Sequence, residues 1–180
     1  NSTGSRRGKK SNNLRFVFNL RSQLRIITMC GIVGFVGARA DMQEILQGMM
    51  DAIAHRGPDG QGQFIEGPAA LGQRRLSIID LEGGKQPMFN EDQNLAVIFN
   101  GEIYNFQELR AELEALGYEF VTNGDTETIV HGYEAWGTDV FEKLRGMFAI
   151  AIWDAPKKRL VCARDCSASS RSTTSTTATA

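Results

Sequence analysis

Cysteine is scarce in this 180-residue sequence, which holds only Cys30, Cys162 and Cys166. So small and odd a set excludes a disulfide framework and fits a reducing compartment. Histidine is scarcer, with His55 and His131 alone. Cys162 and Cys166 therefore have no nearby histidine to complete a four-ligand zinc site, and no metal is expected. No apolar run approaches the roughly 18 residues of a spanning helix, so no membrane segment is expected. A net charge of −1 supplies no global field for nucleic acid. Acid is missing from the first 28 residues, where Arg6, Arg7, Lys9, Lys10, Arg15, Arg21 and Arg25 stand unopposed. The rest of the chain is net acidic, as in an ordinary cytoplasmic domain. No repeat of solenoid period is visible.

Both ends differ in composition from the middle. Residues 1–29 are rich in Ser, Arg and Asn, yet the chain opens with Asn1, and Phe16–Phe18 is too short for a signal-peptide core. They read as sequence translated ahead of a start at Met29, or as a cleaved leader. Residues 167–180 are Ser, Thr and Ala apart from Arg171. Such a segment buries too little apolar surface to order itself. The expected folded unit is 30–165, with 1–29 and 166–180 disordered.

Within that unit, Asp41 precedes Met42, Ile45, Leu46, Met49, Met50 and Ile53, the spacing of an amphipathic helix with an acidic N-cap. Gly57-Pro58-Asp59-Gly60 then breaks it. Ala69–Gly72 and Leu76–Ile79 read as short strands separated by Arg74 and Arg75. Leu95–Phe99 reads as a buried strand ending in a turn at Asn100-Gly101. Asn105 caps a helix bearing Phe106, Leu109, Leu113 and Leu116. Tyr118–Val121 reads as a strand, and Asp125 is placed to cap a helix carrying Ile129, Val130, Tyr133 and Trp136. Phe148–Trp153 and Arg159–Ala163 form a hairpin. Strands in adjacent groups with helices between them predict an α+β fold with antiparallel sheets.

Met29-Cys30-Gly31-Ile32-Val33-Gly34 carries the sharpest chemical signal. Were Cys30 the first residue of a mature chain, a thiol and a primary amine would share one carbon. Their reference pKa values, about 8.5 and about 7.7–8.0, are close enough for the amine to act as base for its own nucleophile. Alone, a cysteine before an apolar strand is more often a packed core thiol. Asn100 and the Gly101 N–H could stabilise an oxyanion, or simply form a turn. Arg74 or Arg75 could hold a carboxylate through two hydrogen bonds. Glu102 and Asp125 sit where an ammonium could be met. His55, at a helix end, suits the last carbonyls better than catalysis, and His131 reads as a satisfied packing residue.

Taken in order, further motifs join these: His55-Arg56-Gly57-Pro58-Asp59-Gly60, Arg75-Leu76-Ser77-Ile78-Ile79-Asp80, Phe99-Asn100-Gly101-Glu102-Ile103-Tyr104-Asn105, Asp125-Thr126-Glu127 and Gly146-Met147-Phe148-Ala149. Together they resemble the class II glutamine amidotransferases, and within them the glutaminase domain of the glutamine-hydrolysing asparagine synthetases. The resemblance covers 29–165. It implies an N-terminal-nucleophile hydrolase fold, a four-layer αββα sandwich of two antiparallel sheets. It implies that Cys30 attacks the side-chain amide of glutamine through a thioester, with its own α-amine as base. Asn100 and Gly101 would form the oxyanion hole. Arg75 would grip the α-carboxylate, Leu76, Ser77, Ile78 and Ile79 would line the pocket, and Glu102 and Asp125 would hold the α-ammonium. No cofactor belongs to this part of the family. ATP and magnesium serve a synthetase domain that this chain lacks, which would amidate aspartate with the released ammonia; a homodimer is compatible with the family.

The resemblance stops at Cys166, where the family continues into a further strand, so the domain is expected to be C-terminally incomplete. A catalytically inert fragment that at most binds glutamine or a partner is the main alternative. An amidase acting on another amide is the lesser one.

Overall fold

Two antiparallel sheets are built around strands that are buried along most of their length, as sheets covered on both faces require. The computed structural model describes residues 30–75 and 85–165 with their side chains, and 15–17 and 173–179 as backbone. The first sheet has four strands: β1 (Arg15–Val17), β2 (Gly31–Val36), β3 (Gly60–Glu66) and β4 (Ala69–Arg75), in the order β1-β2-β4-β3. The second has five: β5 (Met88–Phe89), β6 (Leu95–Ile103), β7 (Gly146–Asp154), β8 (Arg159–Asp165) and β9 (Thr173–Thr179), ordered as in the chain. The helices are α1 (Met42–Ala52), α2 (Phe106–Ala115), α3 (Asp125–Trp136) and the single turn α4 (Val140–Lys143).

The strands send alternate residues to opposite faces, and three apolar clusters show where each face lies. Val33, Phe35 and Ala70 pack against Met42, Leu46, Met50 and Ile53 of α1 and the turn after it. Ile32, Ala69 and Leu71 meet Ala96, Ile98, Ala149, Ala151, Trp153, Leu160 and Cys162 between the sheets. Val97, Phe99, Ile103, Ile150 and Ile152 pack under Leu109, Ile129, Val130, Tyr133 and Phe141 of α2, α3 and α4. The layers run helix, sheet, sheet, helices, the expected αββα sandwich. Alanines supply much of the central layer, and their small volume lets the sheets close at the usual spacing of about 10 Å. A fully buried side chain such as Leu71, with no exposed surface, contributes about 1.5–3 kcal/mol by burial.

Several expectations differ in detail. Asn100-Gly101 does not end a strand: β6 runs through to Ile103 in unbroken register with β7, Asn100 facing Ala149 and Gly101 facing Phe148. Tyr118–Val121 pairs with no strand among the described residues. It is held instead by Glu127, whose carboxylate accepts the N–H groups of Val121 and Thr122. Asp41 and Asn105 occupy N-cap positions, but their side chains bond elsewhere, Asp41 to Arg39 and Asn105 to Lys143 O and Arg145 N. Asp125 is the first residue of α3 rather than its cap, which is Gly124. β4 continues through Arg74 and Arg75, while 76–79 lies outside the described residues.

Parts of the two end segments also belong to sheets. Arg15–Val17 pairs with β2, and Thr173–Thr179 pairs with β8 over seven residues. Composition pointed to disorder, but an open strand edge offers a row of unpaired N–H and C=O groups. Threonine and valine suit the extended backbone that pairs with it.

Candidate active site

Cys30 immediately precedes β2 and is half-buried. Its carbonyl accepts Arg56 Nε at 3.4 Å, from the 3₁₀ turn Ala54–Arg56 that follows α1. Gly31 pairs with Arg74 across β2 and β4, so one step back along this register Cys30 stands level with Arg75. The turn after Arg56 presses on the same end of β4: Asp59 N–H donates to Arg75 O at 3.1 Å. A Cβ on Gly57 would lie 2.4 Å from the Arg74 carbonyl carbon and Arg75 nitrogen. Only glycine permits that approach, which explains the Gly-Pro-Asp-Gly spacing.

Strand parity separates the two arginines. Ala70 faces α1 and Leu71 faces the second sheet. Arg74, on the side of Ala70, bonds Met50 O at 3.1 Å and Asp51 Oδ1 at 2.8 Å, tying β4 to the end of α1. Arg75, in phase with Leu71 and Gln73, falls on the face between the sheets. Cys30, in phase with Ile32, shares that face, as does Asn100, in phase with Ala96 and Ile98. Gln73 crosses the gap: its buried Nε2 donates to Phe99 O at 3.2 Å, one residue from Asn100.

The free edge of β6 carries a specific pattern. Odd-numbered residues point their backbone groups away from β7. Leu95 N–H goes to Asn90 Oδ1, Phe99 N–H to Gln86 Oε1 at 2.6 Å, and Ile103 N–H to Asp125 Oδ2 at 3.0 Å. Gly101 lies between the last two and points the same way, and no acceptor among the described residues meets its N–H. Its φ of +150° is one that side chains rarely adopt, and a Cβ there would sit 2.0 Å from Met147 O. β6 thus crosses the site with one backbone donor available, beside the carboxamide of Asn100, which is 8% exposed.

Asp125 and Glu102 lie at the far side of Gly101. Burial pushes the Asp125 carboxyl above the usual carboxylate range, and the negative charge of Glu102 pushes it the same way. The N–H groups of Ile103 and Thr126 pull it back. Asp125 at the start of α3 and Glu102 near the end of β6 are close enough to repel each other, and a cation would relieve that repulsion. His55 is exposed in its 3₁₀ turn, and among the described residues no bond joins it to the other candidates. Gln73 and Gln86 were not singled out from sequence. An amide side chain among ordinary strand and loop residues carries no distinguishing pattern.

Residues 29–168 match the family described as the glutamine amidotransferase domain. The chain belongs to that family. The relatives of this amidotransferase domain include asparagine synthetase [glutamine-hydrolyzing] 1 of Bacillus subtilis, 47% identical over 142 residues, covering 76% of this chain and 22% of that protein. Asparagine synthetase 2 of the same organism is 44% identical, covering 76% and 19%. Asparagine synthetase 1 of Arabidopsis thaliana is 39% identical, covering 76% and 24%. The chain spans about a fifth of the length of these relatives. Among solved structures, the glutamine phosphoribosylpyrophosphate amidotransferase of Bacillus subtilis shares the fold, with a TM-score of 0.61 at 22% identity over 74% of this chain and 37% of that one. No helix of the described residues is long and apolar enough to cross a membrane.

Proposed function

We propose that this amidotransferase domain hydrolyses the side-chain amide of glutamine to glutamate and ammonia. The Cys30 sulfur attacks the amide carbon, and the oxygen becomes an oxyanion between the Gly101 N–H and the Asn100 carboxamide. The C–N bond then breaks, ammonia leaves with the proton taken from the thiol, and a thioester remains. Water attacks the thioester, releasing glutamate and restoring the thiol. The base is the α-amine of Cys30, once residues 1–29 have been removed. Arg75 takes the α-carboxylate, the backbone of Leu76 to Ile79 lines the pocket, and Asp125 and Glu102 take the α-ammonium.

The observation that supports this reading best is the β6 edge. Its N–H groups are claimed at Phe99 and Ile103 and, among the described residues, open at Gly101, on the strand whose Asn100 shares the inter-sheet face with Cys30 and Arg75. One such donor is worth about 2.7–4 kcal/mol in the transition state. The asparagine synthetases among the relatives suggest the next step. The ammonia would serve ATP- and magnesium-dependent amidation of aspartate by a synthetase domain outside this sequence.

One observation favours a second reading for the 180-residue chain itself. β1 ties residues ahead of Cys30 into the first sheet. While that connection persists, the nitrogen of Cys30 is an amide without basicity, and the chain would be inert. Two preparations distinguish the states: the full chain and a chain beginning at Cys30. The second is expected to release ammonia from glutamine and to be labelled at Cys30 by an electrophilic glutamine analogue; the first is expected to do neither. Equal turnover by both would refute the amine as base.

A further inference from the structure

A second polar cluster is built on the C-terminal half of α3, the helix that begins with Asp125. Glu91, His131 and Glu134 each bring one donor atom to within 4.8 Å of the others. His131 and Glu134 stand one turn apart on α3, and Nδ1 lies 3.1 Å from Glu134 Oε2. Glu91 comes from the turn that leads into β6. Asn90 braces that turn: its Oδ1 accepts the N–H groups of Asn94 and Leu95 at 3.0 Å, and its Nδ2 donates to Glu134 Oε1 at 2.8 Å.

His131 is 3% exposed, and its ring is packed among aromatic side chains. Tyr118 and Phe120 hold it from two sides, with ring centroids at 5.1 and 4.9 Å. Its second nitrogen, Nε2, is buried without a hydrogen-bond partner. The nearest carboxylate oxygen is Glu127 Oε1, at 3.7 Å. Three carboxylates therefore surround one imidazole. If Nδ1–H donates to Glu134, the lone pair of Nε2 faces a carboxylate, which is unfavourable.

We propose that Glu91, His131 and Glu134 form a binding site for a divalent transition-metal ion of the zinc type. With the imidazole neutral and its proton on Nε2, Nδ1 gives its lone pair to the metal. Nε2–H then faces Glu127 Oε1 across 3.7 Å, beyond hydrogen-bond distance, where the charge of the carboxylate favours that proton. Glu127 is itself fixed by the N–H groups of Val121 and Thr122. Bonds of about 2.0–2.2 Å in a tetrahedral site place ligand atoms about 3.3 Å apart, close to the 3.1 Å between Nδ1 and Glu134 Oε2. Glu91 is exposed and can complete the set by a small rotation, with water in the fourth position. The bound ion clamps the turn before β6 to α3, the helix whose first residue is Asp125.

Zinc titration by calorimetry, and cobalt titration followed by absorption, on the full 180-residue chain test this. Saturable binding of one ion is expected, with cobalt showing ligand-field bands and no thiolate charge-transfer band. Glu91→Gln and Glu134→Gln should each weaken zinc binding at least about 10-fold. Glu91 is exposed, so E91Q should keep the circular dichroism of the parent. Zinc should raise the melting temperature of the parent and not that of E91Q. Absence of saturable binding, a thiolate band marking a cysteine site, or unchanged affinity in E91Q would each overturn the assignment.

Discussion

Gln73 Nε2 and Phe99 O meet across the two sheets at 3.2 Å, both in the interior. This bond joins the strand that ends in Arg75 to the strand that carries Asn100 and Gly101. Gln73→Leu keeps the volume and removes the donor, leaving the Phe99 carbonyl unpaired. The expected loss of stability is about 1–3 kcal/mol, read from urea unfolding. In a chain beginning at Cys30, glutamine turnover should fall with it, because the two halves of the site would no longer be held in register. Unchanged stability would show that water replaces the amide without cost.

Gly101 tolerates no side chain. With φ at +150° and a Cβ 2.0 Å from Met147 O, Gly101→Ala should destabilise the domain by at least about 2 kcal/mol through backbone strain and overpacking. Thermal unfolding should show it as a lowered melting temperature.

Asp125 should show opposed effects on stability and binding. Its pKa is raised in the folded state, chiefly by burial. A group of this kind adds stability when protonated, at pH below its unfolded value, and that contribution is lost as pH rises through the folded value. At neutral pH the ionised Asp125 therefore opposes folding. Asp125→Asn removes the charge and keeps an acceptor for Ile103 N–H, so the melting temperature at pH 7 should rise. Glutamine binding should weaken at the same time, because the ammonium loses its partner. In the parent, affinity should fall as pH drops through the raised pKa; calorimetry across that range checks it.

The paired arginines should separate cleanly. Arg75→Ala should raise the KM for glutamine with little change in kcat. Arg74→Ala should leave KM unchanged and cost about 1 kcal/mol of stability, because it removes the bonds to Met50 O and Asp51. Kinetics and unfolding of both variants decide it, and reversed behaviour would reverse the facing of β4.

Cys162 should be chemically silent. Burial alone pushes its thiol up to about 11, which suppresses the thiolate needed for alkylation. Iodoacetamide followed by mass mapping should label half-buried Cys30 in the native domain, and Cys162 only after unfolding.

The periodicities of the chain were enough for the elements and their class. Met42, Leu46, Met50 and Ile53 mark α1 by spacing, and the β7–β8 hairpin is visible from its turn, because these patterns depend only on neighbours along the chain. The order of the six motifs, likewise a linear property, was enough for the family. Facing is different, since it depends on the register between strands far apart in sequence. Only the pairing of β2 with β4 put Cys30 level with Arg75 and turned Arg74 toward α1. Only the partner β7 carried the backbone through Asn100-Gly101, where the local pair favours a turn. The roles of Gln73 and Gln86, the burial of Asp125 and the orphaned nitrogen of His131 were decided the same way, because each rests on which distant groups the packed layers bring within a hydrogen bond.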